Sequence, residues 1–122
     1  MRRRDSLLDA LLAFRTLNAR ITVNEILAFL YTCENEGLSV QELAYIAEMF
    51  QSAASRSLRS LGPADSAWAK PPALGLLKAY LHPSDGRSHL LHLTDEGQQL
   101  RERLDDIIRR GVTIQPLDRL TA

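Results

Sequence analysis

Cysteine is nearly missing from this chain of 122 residues: Cys33 stands alone. That excludes an internal disulfide framework, and no thiolate metal site can form from cysteine by itself. Net charge is missing too, with 15 Lys and Arg against 15 Asp and Glu, which argues against a nonspecific coat for nucleic acid. No apolar run approaches the roughly 20 residues that a membrane helix needs. The opening Met1-Arg2-Arg3-Arg4 has the basic look of a secretory leader, yet Asp9 interrupts the Leu-rich stretch behind it and Arg15 closes it. An amphipathic helix is the expected reading of that stretch, and the cytoplasm the expected location. A Gly-rich phosphate loop, a nucleophile motif and carboxylates spaced for acid–base work are likewise missing; Asp105 and Asp106 are adjacent on a helix with ordinary exposed spacing. Neither enzymatic activity nor a cofactor is expected. There is no internal repeat and no low-complexity tract.

What is present is the balance of an ordinary globular protein, 45% hydrophobic and 25% charged residues, long enough for one domain around a single modest core. The charges are segregated. Residues 1–20 carry five Arg against Asp5 and Asp9, residues 21–50 carry five Glu and no Lys or Arg, and residues 51–93 carry Arg56, Arg59, Lys70, Lys78 and Arg87 against Asp65 and Asp85. An acidic block followed by a basic one can orient a protein toward a polyanion even when the total cancels.

Start signals and apolar periodicity define the elements. Ser6 with Asp9 resembles a capping box ahead of the stripe Leu7, Leu8, Leu11 and Leu12. Thr22 with Glu25 opens a second helix whose Ile26, Phe29, Leu30 and Cys33 recur at helical spacing, and Gly37 suits a left-handed stop. Ser39 with Glu42 opens a third, carrying Leu43, Ile46, Ala47 and Phe50. A short fourth helix is expected from about Ser52 to Leu61, with Ala54, Leu58 and Leu61 on one side and Ser52, Ser55, Arg56 and Arg59 on the other; Gly62-Pro63 stops it. The stretch from Gly62 to Leu74, with three prolines and Trp68, reads as a loop. Leu76 to His82 and Ser88 to Leu93 then read as two strands about a Pro-Ser-Asp-Gly-Arg turn. Thr94-Asp95-Glu96 starts a last helix with the stripe Leu100, Leu104, Ile107 and Ile108, ended by Arg109-Arg110-Gly111. A tight helix pair followed by a two-stranded ribbon is a winged helix-turn-helix, which in DNA-binding proteins places its short helix in the major groove.

These residues resemble the MarR family of winged-helix transcription regulators. The resemblance is carried by Leu43-Ala44, by Ser55-Arg56, and above all by the run Gly75 through Gly97, in which Pro83, Asp85, Arg87, Leu93, Thr94 and Gly97 fall at the family's wing spacing. It covers about residues 20 to 105. The chain departs from the family in its thirteen-residue Gly62–Leu74 loop, where a brief turn is usual, in Ala79, where many members carry a basic residue, and in its short outer helices. The resemblance implies a mainly α fold with a small β-hairpin: residues 1–20 as an N-terminal helix of a dimer body, 21–97 as the DNA-binding winged helix with an insertion at 62–74, and 98–122 as a C-terminal helix and tail completing the body.

It further implies a sequence-specific regulator of double-stranded DNA, a homodimer on a pseudo-palindrome. The groove-reading surface is then Gln51, Ser52, Ser55, Arg56 and Arg59, since Arg pairs bidentately with guanine and Ser or Gln reaches base edges or phosphates. Arg87, held by Asp85, reaches a minor groove or phosphate at the ribbon tip; Lys78 and the cap residue Ser39 supply phosphate contacts. Leu7, Leu8, Leu11, Leu12, Leu104, Ile107 and Ile108 form the dimer body. A small-molecule effector pocket between body and reading lobes also belongs to the family, though no residue here identifies an effector. No metal is expected: His89 and His92, three apart on a strand, point to opposite faces, and no acidic cluster joins them or His82. Some relatives sense peroxide through a cysteine near the N-terminal helix, whereas Cys33 lies on the apolar stripe of the second helix and is expected to be an inert thiol. Trp68, a large aromatic in a Pro-rich loop, is expected to dock on its own domain, a second subunit or a partner. A different class stays open: a winged-helix protein-interaction module that has lost base reading, favoured by the zero net charge, the Glu block, Ala79 and the long loop.

Overall fold

Four side-chain caps set the helix starts. The computed structural model of the chain describes residues 4–84 and 88–116. Its elements in order are α1 (Ser6–Leu17), α2 (Val23–Glu34), α3 (Val40–Ile46), α4 (Gln51–Ser60), β1 (Leu77–Leu81), β2 (His89–Leu93) and α5 (Asp95–Arg110). Thr22 with Glu25 and Ser39 with Glu42 form the reciprocal capping boxes that the sequence shows, each satisfying two otherwise orphaned backbone N–H groups. Thr94 caps α5 and Gly111 ends it in the left-handed conformation, φ 60°.

Two expectations are corrected. The cap of α1 is Asp5, which accepts from the Leu8 amide; Ser6 is already helical, and it instead ties the two chain ends together, its amide donating to Val112 O and its hydroxyl accepting from the Val112 amide. The third helix stops at Ile46 rather than running on to Phe50. There Glu48 takes φ 52° and the chain turns directly into α4. No glycine announces that turn, so helical periodicity carried the sequence reading past it.

α4 packs against both α2 and α3, burying Ala54, Leu58 and Leu61 in a core shared with Ala28, Phe29, Leu43, Leu77 and Leu91. α1 joins it through Phe14, whose ring meets Phe29 edge to face at 5.9 Å, and α5 lies against α1. β1 and β2 pair antiparallel with Leu77 opposite Leu93 and Ala79 opposite Leu91. A third, very short segment extends this ribbon: the Gly37 amide donates to Leu91 O, the Leu91 amide to Leu38 O, and Ser39 bridges Leu90. The ribbon is thereby fixed to the start of α3.

The residues that carried the family spacing have local physical reasons. Thr94 Oγ1 donates to Gly75 O at 2.6 Å and accepts from the Gly97 amide, while the Thr94 amide donates to Leu76 O. A Cβ on Gly97 would sit 2.1 Å from Leu76 O, a distance no side chain tolerates. Gly75 itself has φ 72°. Gly75, Thr94 and Gly97 therefore knot the entry of the ribbon to the start of α5. Among the described residues, no helix is long and apolar enough to cross a membrane.

Candidate nucleic-acid interface

The exposed side of α4 follows from its sequence. Ala54, Ser57, Leu58 and Ser60 are buried, so Gln51, Ser52 and Arg56 are left in solvent with Ser55 and Arg59 half-buried at the edge. Two of the helix's serines point inward and are satisfied there. Ser57 donates to Ala53 O at 2.8 Å, and the Ser60 hydroxyl meets the buried carboxylate of Glu25 as well as Ser57 O. Because Glu25 also accepts from the Thr22 amide at 2.8 Å, one carboxylate locks the start of α2 to the end of α4.

The exposed surface of α4 has two sides. On one, Gln51, Ser55 and Arg59 line an open cleft of about 490 Å³ together with Ser39, Trp68, Ser88 and His89. This cleft runs from α4 to the ribbon. On the other, Arg56 lines a smaller depression with Thr22, Asn24 and Ala53. The structure thus brings Ser39, Gln51, Ser55 and Arg59 together and sets Ser52 and Arg56 on the neighbouring ridge. Lys78 lies apart, on the outer face of β1 with its ammonium 5.7 Å from the Tyr80 ring centre. Asp85 and Arg87 lie outside the described residues.

The long loop shapes the cleft. Trp68 stacks on His89 at 5.5 Å between ring centres, covers Gly62, and presents its carbonyl to Arg59 Nε at 2.6 Å. The Lys70 amide donates to Arg59 O and the Leu74 amide to Ser60 O, so the loop is sewn along the last turn of α4. Of the docking sites open to Trp68 from the sequence, the structure shows its own domain. Trp68 and His89 were missed as cleft residues; a Trp in a Pro-rich loop was the only available signal. The loop leaves Ser52 and Arg56 exposed while fixing Arg59.

Burial pushes the Cys33 thiol up to about 12 from an ordinary value near 9.0, outweighing the opposing pull of Arg101 and disfavouring the nucleophilic thiolate. His92 pairs with Glu36 at 3.2 Å and His82 Nδ1 with Ser84. Among the described residues, no three His, Cys, Asp or Glu side chains gather in a way that could hold a metal ion. The outer surface of α1 exposes Leu7 (61%), Leu8 and Leu11, next to Ile108 (65%) of α5. Leu104 and Ile107, by contrast, are buried within the chain itself, and Leu12 is half-buried.

No protein-family model matches the chain, and no curated protein matches it by sequence. Solved structures do. A MarR transcriptional regulator from Methanosarcina mazei Go1 is 14% identical at a TM-score of 0.63, covering 80% of this chain and 62% of its own. The PcaV transcriptional regulator from Streptomyces coelicolor, in complex with its natural ligand, is 25% identical at 0.58, covering 81% and 64%. The transcriptional repressor CouR, bound to a 23-mer DNA duplex, is 22% identical at 0.59, covering 88% and 70%. The chain therefore spans about two thirds of the length of these neighbours, and it has the winged-helix fold of MarR regulators.

Proposed function

We propose that the chain is a sequence-specific double-stranded DNA-binding transcription regulator that acts as a homodimer on a pseudo-palindromic site. The observation that carries this reading is the exposed ridge of α4. Ser52 and Arg56 stand free on a helix whose opposite side is pinned to α2 and α3, and the rim of the cleft beside them continues to the ribbon. A short helix held rigidly and presenting an arginine with small polar residues suits insertion into a major groove. Residues 21–97 form the reading domain, with Ser39, Gln51 and Ser55 beside the ridge, Arg59 oriented by the loop, and Lys78 and the wing-tip Arg87 and Asp85 toward the flanking backbone. Residues 1–20 and 98–122 form the dimer body. Leu7, Leu8, Leu11 and Ile108 supply the intersubunit face, while Leu12, Leu104 and Ile107 hold the body together from within. Effector control, as in ligand-bound PcaV, and cytoplasmic placement belong to the same reading, which assigns no catalytic step.

Selection from a random duplex pool tests it. Enrichment of alignable two-fold symmetric sequences is expected, and retention of no duplex at low or moderate salt overturns the reading. Dimerisation is tested by sedimentation: the wild-type chain is expected as a dimer and Leu7→Asp/Leu11→Asp as a folded monomer. The tether between Arg59 and Trp68 O favours a second reading, a winged-helix protein-interaction module, because it withdraws one arginine from the groove-facing set. A stable protein partner without duplex retention supports that reading.

A further inference from the structure

The start of α4 differs from its surroundings in two ways. Its cap residue is Phe50, which makes no side-chain cap bond, whereas Asp5, Thr22, Ser39 and Thr94 each bond a backbone amide at the other helix starts. Independently, the Phe50 ring is 85% exposed and packs against nothing in the core. A polar residue there would satisfy an orphaned amide and remove an apolar group from water. The isolated fold thus gains nothing from a phenyl ring at this place.

The ring's neighbours restrict what could cover it. Gln51 and Ser52 follow it as exposed polar residues at the start of α4, while Tyr45 (86% exposed), Ile46 and Glu48 are exposed on the segment before it, so Phe50 stands where an apolar strip meets hydrogen-bonding groups. An apolar protein surface would leave those groups unpartnered on contact. The complementary surface is a methyl group set among hydrogen-bonding groups. Thymine offers this in the major groove, where its C5 methyl lies beside the O4 acceptor and phosphates flank the base. The N-terminal end of a recognition helix is the part that meets base edges.

We propose that Phe50 reads the 5-methyl group of a thymine in the major groove, adding an apolar base contact to the polar ones made by the α4 ridge. This inference rests on α4 being the recognition helix. The experiment uses a duplex selected from a random pool by the wild-type chain. Each thymine is replaced in turn by deoxyuridine, which removes only the methyl group, and binding is compared for wild type, Phe50→Ala, Phe50→Leu and Phe50→Ser. At one thymine per half-site the replacement is expected to weaken wild-type binding about fourfold, the transfer value of one buried methyl-sized group. Phe50→Leu is expected to keep part of that sensitivity and Phe50→Ala to lose it. Phe50→Ser, which restores a cap, is expected to lose it too while unfolding no lower than wild type. An enriched duplex with no deoxyuridine-sensitive position overturns the inference and leaves DNA reading intact, as does sensitivity that persists in Phe50→Ala. A pool that yields no enriched sequence overturns both.

Discussion

Glu25 shows how one side chain can couple two helices. It completes the capping box of α2 and, from the same carboxylate, accepts from Ser60 at the far end of α4. Ser60→Ala leaves one carboxylate oxygen buried without its partner. It is expected to lower stability by about 1–3 kcal/mol, against a change within about 0.5 kcal/mol for the exposed Ser52→Ala, as chemical denaturation of both variants will show. Cys33 makes a second prediction at this scale. Burial raises its thiol to about 12, so near neutral pH the native chain carries about a thousandfold less thiolate than an ordinary thiol with a value near 9.0. Labelling by a disulfide reagent is expected to be slow in the native chain and fast in denaturant. The stability linked to this group has a definite sign. The folded state holds the proton more tightly than the unfolded one, so the contribution is complete below pH 9 and disappears as pH rises toward 12. Wild type is expected to lose stability over that interval relative to Cys33→Ala, and parallel curves for the two would contradict the assignment.

Among the elements, those with a complete local signal were legible in the sequence. Thr22-Glu25, Ser39-Glu42 and Thr94 each cap the helix they announce, α4 falls within a residue of its expected start and end, and both strands of the hairpin lie within the stretches expected for them. The misread places are those where tertiary structure decides. Asp5 rather than Ser6 caps α1, and Ser6, already helical, bonds Val112, more than a hundred residues along the chain. α3 stops at Ile46, just before a left-handed Glu48 that carries no glycine signal. The segment pairing Gly37 and Leu38 with Leu91 is too short to show a period of two. Docking of the long loop was equally hidden, since nothing in a Pro-rich stretch says which surface its tryptophan will find. That docking predicts an element-scale effect: Trp68→Ala removes the half-buried ring from Gly62 and His89 and is expected to cost about 2 kcal/mol. Amide exchange at Lys70 and Leu74, which bond the last turn of α4, is expected to accelerate. An unchanged melting temperature with unchanged exchange would show that the loop is held by its backbone alone.

At the scale of the whole molecule, exposed apolar groups gather on the outer helices as well as on α3 and at the start of α4, where Tyr45 and Phe50 stand in solvent. The exposed leucines of α1 and Ile108 of α5 lie on the helices at the chain's two ends, which Ser6, Val112 and the Asp9–Arg110 pair at 3.4 Å hold together. Arginine and serine lie on α4, at the centre of the winged helix. Over residues 51–93, which carry α4 and the ribbon, five Lys and Arg stand against two Asp, so zero net charge for the chain is compatible with a locally basic face, because the protein's field depends on where its charges sit. The central claim is that the free ridge of α4 reads bases. It is tested most directly by titrating the selected duplex, and the same duplex mutated one base pair at a time, with wild type and Arg56→Ala across a range of salt. Wild-type affinity is expected to fall steeply with salt. Arg56→Ala is expected to lose about 1–3 kcal/mol on the selected duplex, to keep nearly the wild-type salt slope, and to lose its preference at one base pair of each half-site. Unchanged affinity, or an equal loss on every sequence with a shallower salt slope, would contradict the claim and leave Arg56 with at most a phosphate contact.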